Sequence, residues 1–138
     1  MDVMSDLNIA VSHMVGRVPV TVFRLEGRVN LSNSEKLEKM AREAHEYGMR
    51  YMLMDLSGVP SITSAGLRAI LYTYRLLENN PASKSSPASL EPAPELISKS
   101  AHFKLFTPSP QVLKVLQTAG FETFIDIFEN MEEAIASF

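Results

Sequence analysis

The sequence predicts an α/β domain, a small mixed sheet of about five strands with about four helices packed on it. Three observations carry that expectation. Strand-like apolar runs alternate with segments of helical period through most of the chain. One run, Tyr51-Met52-Leu53-Met54-Asp55-Leu56, is almost continuously apolar, as a central strand covered on both faces would be. The chain has 138 residues and is 46% apolar, enough for one domain with a real core and too short for two ordinary ones.

The elements follow in order. Leu7, Ile9 and Val11 alternate with polar or small residues, the period of a half-buried strand. A turn near Gly16 leads to the β-branched run Val18 to Leu25, with Pro19 at the strand start, where its missing N–H does little harm. Glu26 to Asn30 leads out towards a helix. Ser32-Asn33-Ser34-Glu35 has the S-x-x-E form of a capping box, and Leu37, Met40, Ala41, Ala44 and Tyr47 follow at helical spacing as the inward stripe. Gly48 is the expected stop. After the apolar strand, a helix starting at Ser64 sets Leu67, Ile70, Leu71, Tyr74 and Leu77 on one stripe.

From about residue 79 to 100 the composition shifts to Pro, Ala and Ser, which cannot bury enough apolar surface to offset the entropy of ordering. This reads as a mobile loop inserted within a single domain spanning 1–138, because only about 38 residues follow it, too few for a second domain. His102 to Phe106 then reads as a strand. Ser109-Pro110 gives a cap followed by proline at the first helical position. Val112, Leu113, Val115, Leu116 and Ala119 form the inward stripe, and Gly120 ends the helix. Phe124 to Phe128 is a last strand, and Asn130 starts a short helix that turns Ala134 and Ile135 inward. The order is β-β-α-β-α-loop-β-α-β-α, and its strand-helix alternation calls for crossovers and a largely parallel sheet.

Composition narrows function. A net charge of -3 gives no support to nucleic-acid binding, which usually presents a basic face. No run approaches the roughly 18 apolar residues that span a bilayer. The acidic start Met1-Asp2-Val3-Met4-Ser5-Asp6 lacks the basic and apolar regions of a signal peptide, so the expected compartment is the cytoplasm, without direct membrane insertion. The absence of cysteine excludes disulfides, thiolate metal sites and cysteine nucleophiles. His13, His45 and His102 are scattered singly, without metal-ligand spacing or an acidic orienter. Glycines are too dispersed for a phosphate loop, and Ile62-Thr63-Ser64-Ala65-Gly66 is not the G-x-S-x-G of a hydrolase elbow. No catalytic residue, metal or cofactor is therefore expected.

The informative stretch is Asp55-Leu56-Ser57-Gly58-Val59-Pro60-Ser61-Ile62-Thr63-Ser64-Ala65-Gly66-Leu67-Arg68, which runs from a buried strand through a polar loop into an amphipathic helix. It places the Ser64 hydroxyl at a helix start, where unpaired N–H groups and the positive end of the dipole favour an added phosphate. The stretch resembles the signature of STAS domains, in particular the bacterial anti-sigma-factor antagonists, whose hydrophobic strand is followed by Asp-Ser-Ser/Thr-Gly-Leu. The resemblance covers nearly the whole chain and implies a STAS-like fold whose second helix opens with the signature. The Phe106-Thr107-Pro108-Ser109-Pro110 joint is similar to the family as well. On that match Ser64 takes the place of the regulatory phosphoserine, and Gly66-Leu67 that of the Gly-Leu pair. The family's Asp before the serine is Thr63 here, and the residue after it is Ala65.

Each candidate has a plainer alternative. Ser64 is a phosphorylation site or a simple helix cap, and Thr63 is the other nearby hydroxyl that a kinase would find. Asp55 is a partner for the Ser64 hydroxyl or a turn residue binding loop N–H groups. Arg68, one turn beyond Ser64, steadies a phosphate, touches a partner, or is simply solvated. The resemblance implies an anti-sigma-factor antagonist without catalysis of its own. It would bind an anti-sigma factor with serine kinase activity, be switched off by phosphorylation at Ser64, and be restored by a phosphatase. The expected contact surface comprises Gly58, Val59, Pro60, Ser61, Ile62, Thr63, Ser64 and Arg68, with Val29 to Ser34 beside it. The same fold also serves as a cytoplasmic subunit of transport systems or as a stress-signalling scaffold, and that is the alternative.

Overall fold

The computed structural model describes residues 7–78 and 99–138. Strands β1 (Asn8–Val15) and β2 (Pro19–Glu26) are followed by helix α1 (Ser34–Glu46), strand β3 (Met52–Gly58) and helix α2 (Ser64–Glu78). Then come β4 (Phe103–Phe106), α3 (Pro110–Thr118), a 3-10 turn at Phe121–Thr123, β5 (Asp126–Phe128) and α4 (Met131–Ala136). The predicted element order and the mixed sheet are both present. The inserted Pro/Ser/Ala-rich loop lies outside the described residues, apart from its last two positions. Of these, Ser100 is buried, takes N–H bonds from His102 and Phe103, and bonds the Glu78 carboxylate at the end of α2.

The sheet runs β1-β2-β3-β4-β5, with β1 antiparallel to β2 and every other pair parallel. Its strand order equals chain order, and among the described residues the parallel steps cross over by way of α1, α2 and α3 in turn. β3 is central, and Met52 to Leu56 are buried on both faces as their apolar run requires. One face packs Phe23, Leu25, Met52, Met54, Phe103 and Leu105 against α1, α2 and α3. The opposite face sets Val20, Val22 and Leu53 against Ala134 and Ile135 of α4. There the buried Lys104 ammonium reaches the Ser137 carbonyl and hydroxyl, each at 3.1 Å, and lies over the Phe128 and Phe138 rings. Burial lowers its pKa against the opposing pull of Asp126.

Several boundaries and faces differ from expectation. The Ser32-Glu35 capping box does not form. The Asn30 and Asn33 side chains take over the turn, and α1 begins at Ser34 with Asn33 before it. Tyr47 is 91% exposed, because the chain turns off at Gly48 (φ +112) before that position can face the core. In α3 only Val112 and Leu116 are fully buried, and Ala119 is exposed past the helix end. β4 starts at Phe103 rather than His102. The last strand is reduced to Asp126–Phe128, because Phe121 to Thr123 coil into the 3-10 turn and Ile125 is buried ahead of the strand.

The inward face of α2 is centred differently. Ala65, Gly66, Ala69, Ile70, Thr73 and Leu77 are buried, while Leu67, Leu71 and Tyr74 flank them half-buried. The helix sits close to its neighbours, so small side chains occupy the line of closest approach and large ones fill its margins. Thr73 is tolerated there because its hydroxyl returns to the Ala69 carbonyl at 2.9 Å.

Candidate functional site

The joint between β3 and α2 is built from its buried residues outward. Asp55 lies within β3, 7% exposed, and its Oδ1 accepts from the Ser57 N–H (2.9 Å) and hydroxyl (2.7 Å). The turn-residue reading therefore holds, and Asp55 is no partner of Ser64. After Gly58 the chain folds back, with the Val59 N–H on the Leu56 carbonyl at 3.0 Å. Val59 and Ile62 are buried in the main core. Their side chains, expected at the contact surface, point into the core instead and anchor the exposed Pro60 and half-buried Ser61 between them.

A second segment locks the loop. Val29 and Ile62 form an isolated parallel bridge, the Val29 N–H reaches the Ser61 carbonyl (3.4 Å), and the Thr63 N–H reaches the Val29 carbonyl (3.1 Å). Gly66 is required by this closeness. A Cβ at that position would lie 2.9 Å from the Val29 carbonyl oxygen and 2.5 Å from Ile62. That gives the Gly of the Gly66-Leu67 pair a steric reason.

Thr63 is the cap of α2. Its hydroxyl accepts from the Gly66 N–H at 3.4 Å, its carbonyl accepts from the Leu67 N–H at 2.9 Å, and its hydroxyl also faces the Val29 carbonyl at 3.4 Å. Threonine and aspartate are both good caps, so Thr63 keeps the structural task that an aspartate would perform there. Ser64 is then the first helical residue rather than the cap. It is exposed, and its hydroxyl has no hydrogen-bond partner among the described residues. It sits at the positive end of a fifteen-residue helix, with exposed Arg68 one turn along.

Gly58, Pro60, Thr63, Ser64 and Arg68 are exposed and Ser61 is half-buried, all on the stretch from the C-terminal end of β3 into the first turns of α2. Beside them runs the segment from Val29 to Ser34, which sequence reasoning placed at the margin. Its backbone is held by side chains: Asn30 N–H to Asn33 Oδ1 (2.9 Å), Ser32 N–H and hydroxyl to Asn30 Oδ1 (3.0 and 2.8 Å), and Asn33 Nδ2 to the Arg28 carbonyl (2.9 Å). Leu31 stands on this loop 77% exposed. The signal for it was the Asn-x-Ser-Asn run, two Asx-turn formers three residues apart. Among the described residues no His, Asp or Glu group is arranged to hold a metal, and no helix is long and apolar enough to cross a membrane.

Known proteins share this fold. BtrV of Bordetella bronchiseptica, which carries the provisional designation of anti-sigma factor antagonist, is 28% identical over 114 residues, covering 83% of this chain and 82% of its own. An anti-sigma factor antagonist from Mycobacterium paratuberculosis shares the fold with a TM-score of 0.71 over 99% of this chain and 97% of that one, at 16% identity. The Bacillus cell fate determinant SpoIIAA shares it at 22% identity in both its unphosphorylated form (TM-score 0.65, 93% of each chain) and its phosphorylated form (TM-score 0.61, 93% of this chain and 96% of that one). The family model of the STAS domain matches residues 12–82, half of the chain and the part that carries β3, the loop and α2. The chain belongs to the STAS domain family.

Proposed function

We propose that this chain is a single-domain anti-sigma factor antagonist of the cytoplasm, and that phosphorylation of Ser64 switches off its binding face. The observation that carries the reading is the spare hydroxyl of Ser64, exposed at the first position of α2 while Thr63 does the capping. The relatives' names support the role, and SpoIIAA supports the chemistry, since its structure exists in a phosphorylated form. In this reading the partner is an anti-sigma factor with serine kinase activity, and a phosphatase restores the binding form. The domain acts by binding alone.

The mechanism follows from the charge and its location. A phosphoserine adds about -1.5 to -2 charges and three acceptor oxygens. At a helix N-terminus the domain accommodates that charge with little rearrangement, and Arg68 lies within one turn to pair with it. A partner pressed over Gly58, Pro60, Ser61 and Thr63 would instead cover a dianion, and unfavourable charge juxtaposition across an interface costs several kcal/mol. A loss of about 3 kcal/mol already weakens binding more than a hundredfold. Val59 and Ile62 keep the face rigid from below, so the switch acts on the partner and leaves the fold alone.

The test is to incubate the chain with kinase-type anti-sigma factors and ATP and to map the phosphate. Label on Ser64, absent in Ser64→Ala, is the expected result. Label on Thr63 alone would move the switch by one residue and cost α2 its cap. No label, together with unchanged partner binding by Ser64→Asp, would sink the switch and favour a transport-subunit or scaffold role.

A further inference from the structure

The two edges of the sheet are protected very differently. β5 is three residues long, and its Asp126 pairs with Lys99 at 3.4 Å. Shortness and charge are the usual defences of an edge strand. β1 has neither: its eight residues, Asn-Ile-Ala-Val-Ser-His-Met-Val, include no Lys, Arg, Asp, Glu or Pro. Val11, Met14 and Val15 on it are 43%, 38% and 81% exposed.

The backbone of β1 can be oriented from its neighbours. The Thr21 N–H bonds the Tyr51 carbonyl at the start of β3 (2.9 Å), so the odd residues of β2 face β3 and the even ones face β1. The β1–β2 register pairs even with even, Ser12 opposite Val22 and Ala10 opposite Arg24. Ile9, Val11, His13 and Val15 therefore turn their N–H and C=O groups outward, and among the described residues no strand receives them.

We propose that β1 is a self-association edge, on which a second copy of this chain pairs antiparallel about a two-fold axis through Ser12. An axis perpendicular to the sheet keeps the α1–α2–α3 faces of the two copies on the same side, so residues of equal parity must meet and the axis must pass through a residue. Centred on Ser12, Ile9 meets Val15, Ala10 meets Met14 and Val11 meets His13, each pair occurring twice. Every outward N–H and C=O of Ile9, Val11, His13 and Val15 is then satisfied. The exposed Met14 and Val15 find apolar partners, and no like charges oppose each other. Centring on Val11 would set Asn8 against Met14 and Ile9 against His13, and would leave Val15 beyond the end of the partner strand. The Ser64 face follows the far end of β3, two strands in from this edge, and stays open in both copies.

The chain has no cysteine, which makes one introduced thiol diagnostic. Ser12 bonds towards β2, so Ser12 and its symmetry mate form a non-hydrogen-bonded pair with Cα atoms about 4.5 Å apart, within disulfide range. Ser12→Cys is expected to oxidise to a covalent dimer, whereas Ser32→Cys, exposed on a distant loop, stays monomeric. Sedimentation equilibrium of the unmodified chain is expected to show a reversible dimer. The double variant Val11→Lys/His13→Lys, both at exposed positions, sets lysine against lysine twice and should raise the dissociation constant about tenfold or more. A chain that stays monomeric at every concentration overturns the proposal. So does a double variant that dimerises unchanged, or a Ser12→Cys that cross-links no faster than Ser32→Cys.

Discussion

Two strand-to-helix joints lie side by side at the same end of the sheet, and they treat their serines in opposite ways. After β4, Ser109 is the cap of α3. Its hydroxyl accepts from the Val112 N–H and donates to the Val59 carbonyl of the neighbouring loop, each at 3.3 Å, and Pro110 follows at the first helical position. After β3, Thr63 takes the capping position and Ser64 stands one residue later with a free, exposed hydroxyl. The same side chain is structural in one joint and available in the other because of a one-residue difference in register. A serine near a helix start becomes a candidate for modification only when a neighbour has relieved it of the cap.

The largest effect that probes this contrast lies beneath the β3–α2 joint. Ile70→Ala is expected to cost about 2–5 kcal/mol in chemical denaturation, because Ile70 is fully buried on the inward line of α2. Leu71→Ala, on the half-buried margin, should cost clearly less, and equal losses would mean that the helix is rotated from the face described. Next comes Gly66→Ala, expected to cost about 1–3 kcal/mol, since the added methyl meets the Val29 backbone. A neutral result would show that α2 can move away from the loop and that Ser64 is less firmly placed. Smaller still is the pair of serines themselves. Ser109→Ala should lose about 0.5–2 kcal/mol with its cap. Ser64→Ala should stay within about 0.5 kcal/mol, as an exposed residue without partners does. If Ser64→Ala cost as much as Ser109→Ala, the two joints would not differ in the way described.

Much of this was legible in the sequence, and for local reasons. The apolar run of β3, the Ser109-Pro110 pair and the stop glycines Gly48 and Gly120 each act within a few residues, so pattern alone locates them. What was not legible depends on atoms brought in from elsewhere. The Ser32-Glu35 pattern is a valid capping box in isolation, but the Asn30 side chain takes both the Ser32 N–H and the Ser32 hydroxyl that the box would use. Large side chains on α2 suggested its inward face, whereas the buried centre holds Gly66, Ala69 and Thr73, with Gly66 pressed against the loop at Val29. Val59 and Ile62 lie in a polar loop by sequence, yet the turn onto the Leu56 carbonyl and the Val29–Ile62 bridge accompany their burial in the core. The division of labour between Thr63 and Ser64 belongs to this second class, because it rests on which hydroxyl reaches the Gly66 N–H.

The central claim is that phosphate on Ser64 abolishes partner binding without unfolding the domain. It is tested most directly by titrating one anti-sigma factor partner with the unmodified chain, the Ser64-phosphorylated chain and Ser64→Ala, while melting each form alone. The account predicts that the unmodified chain and Ser64→Ala bind equally, that the phosphorylated chain binds more than about a hundredfold more weakly, and that all three melt within a few degrees of one another. Equal affinity for the phosphorylated and unmodified chains, or a loss of affinity matched by a collapse of the melting temperature, would contradict it.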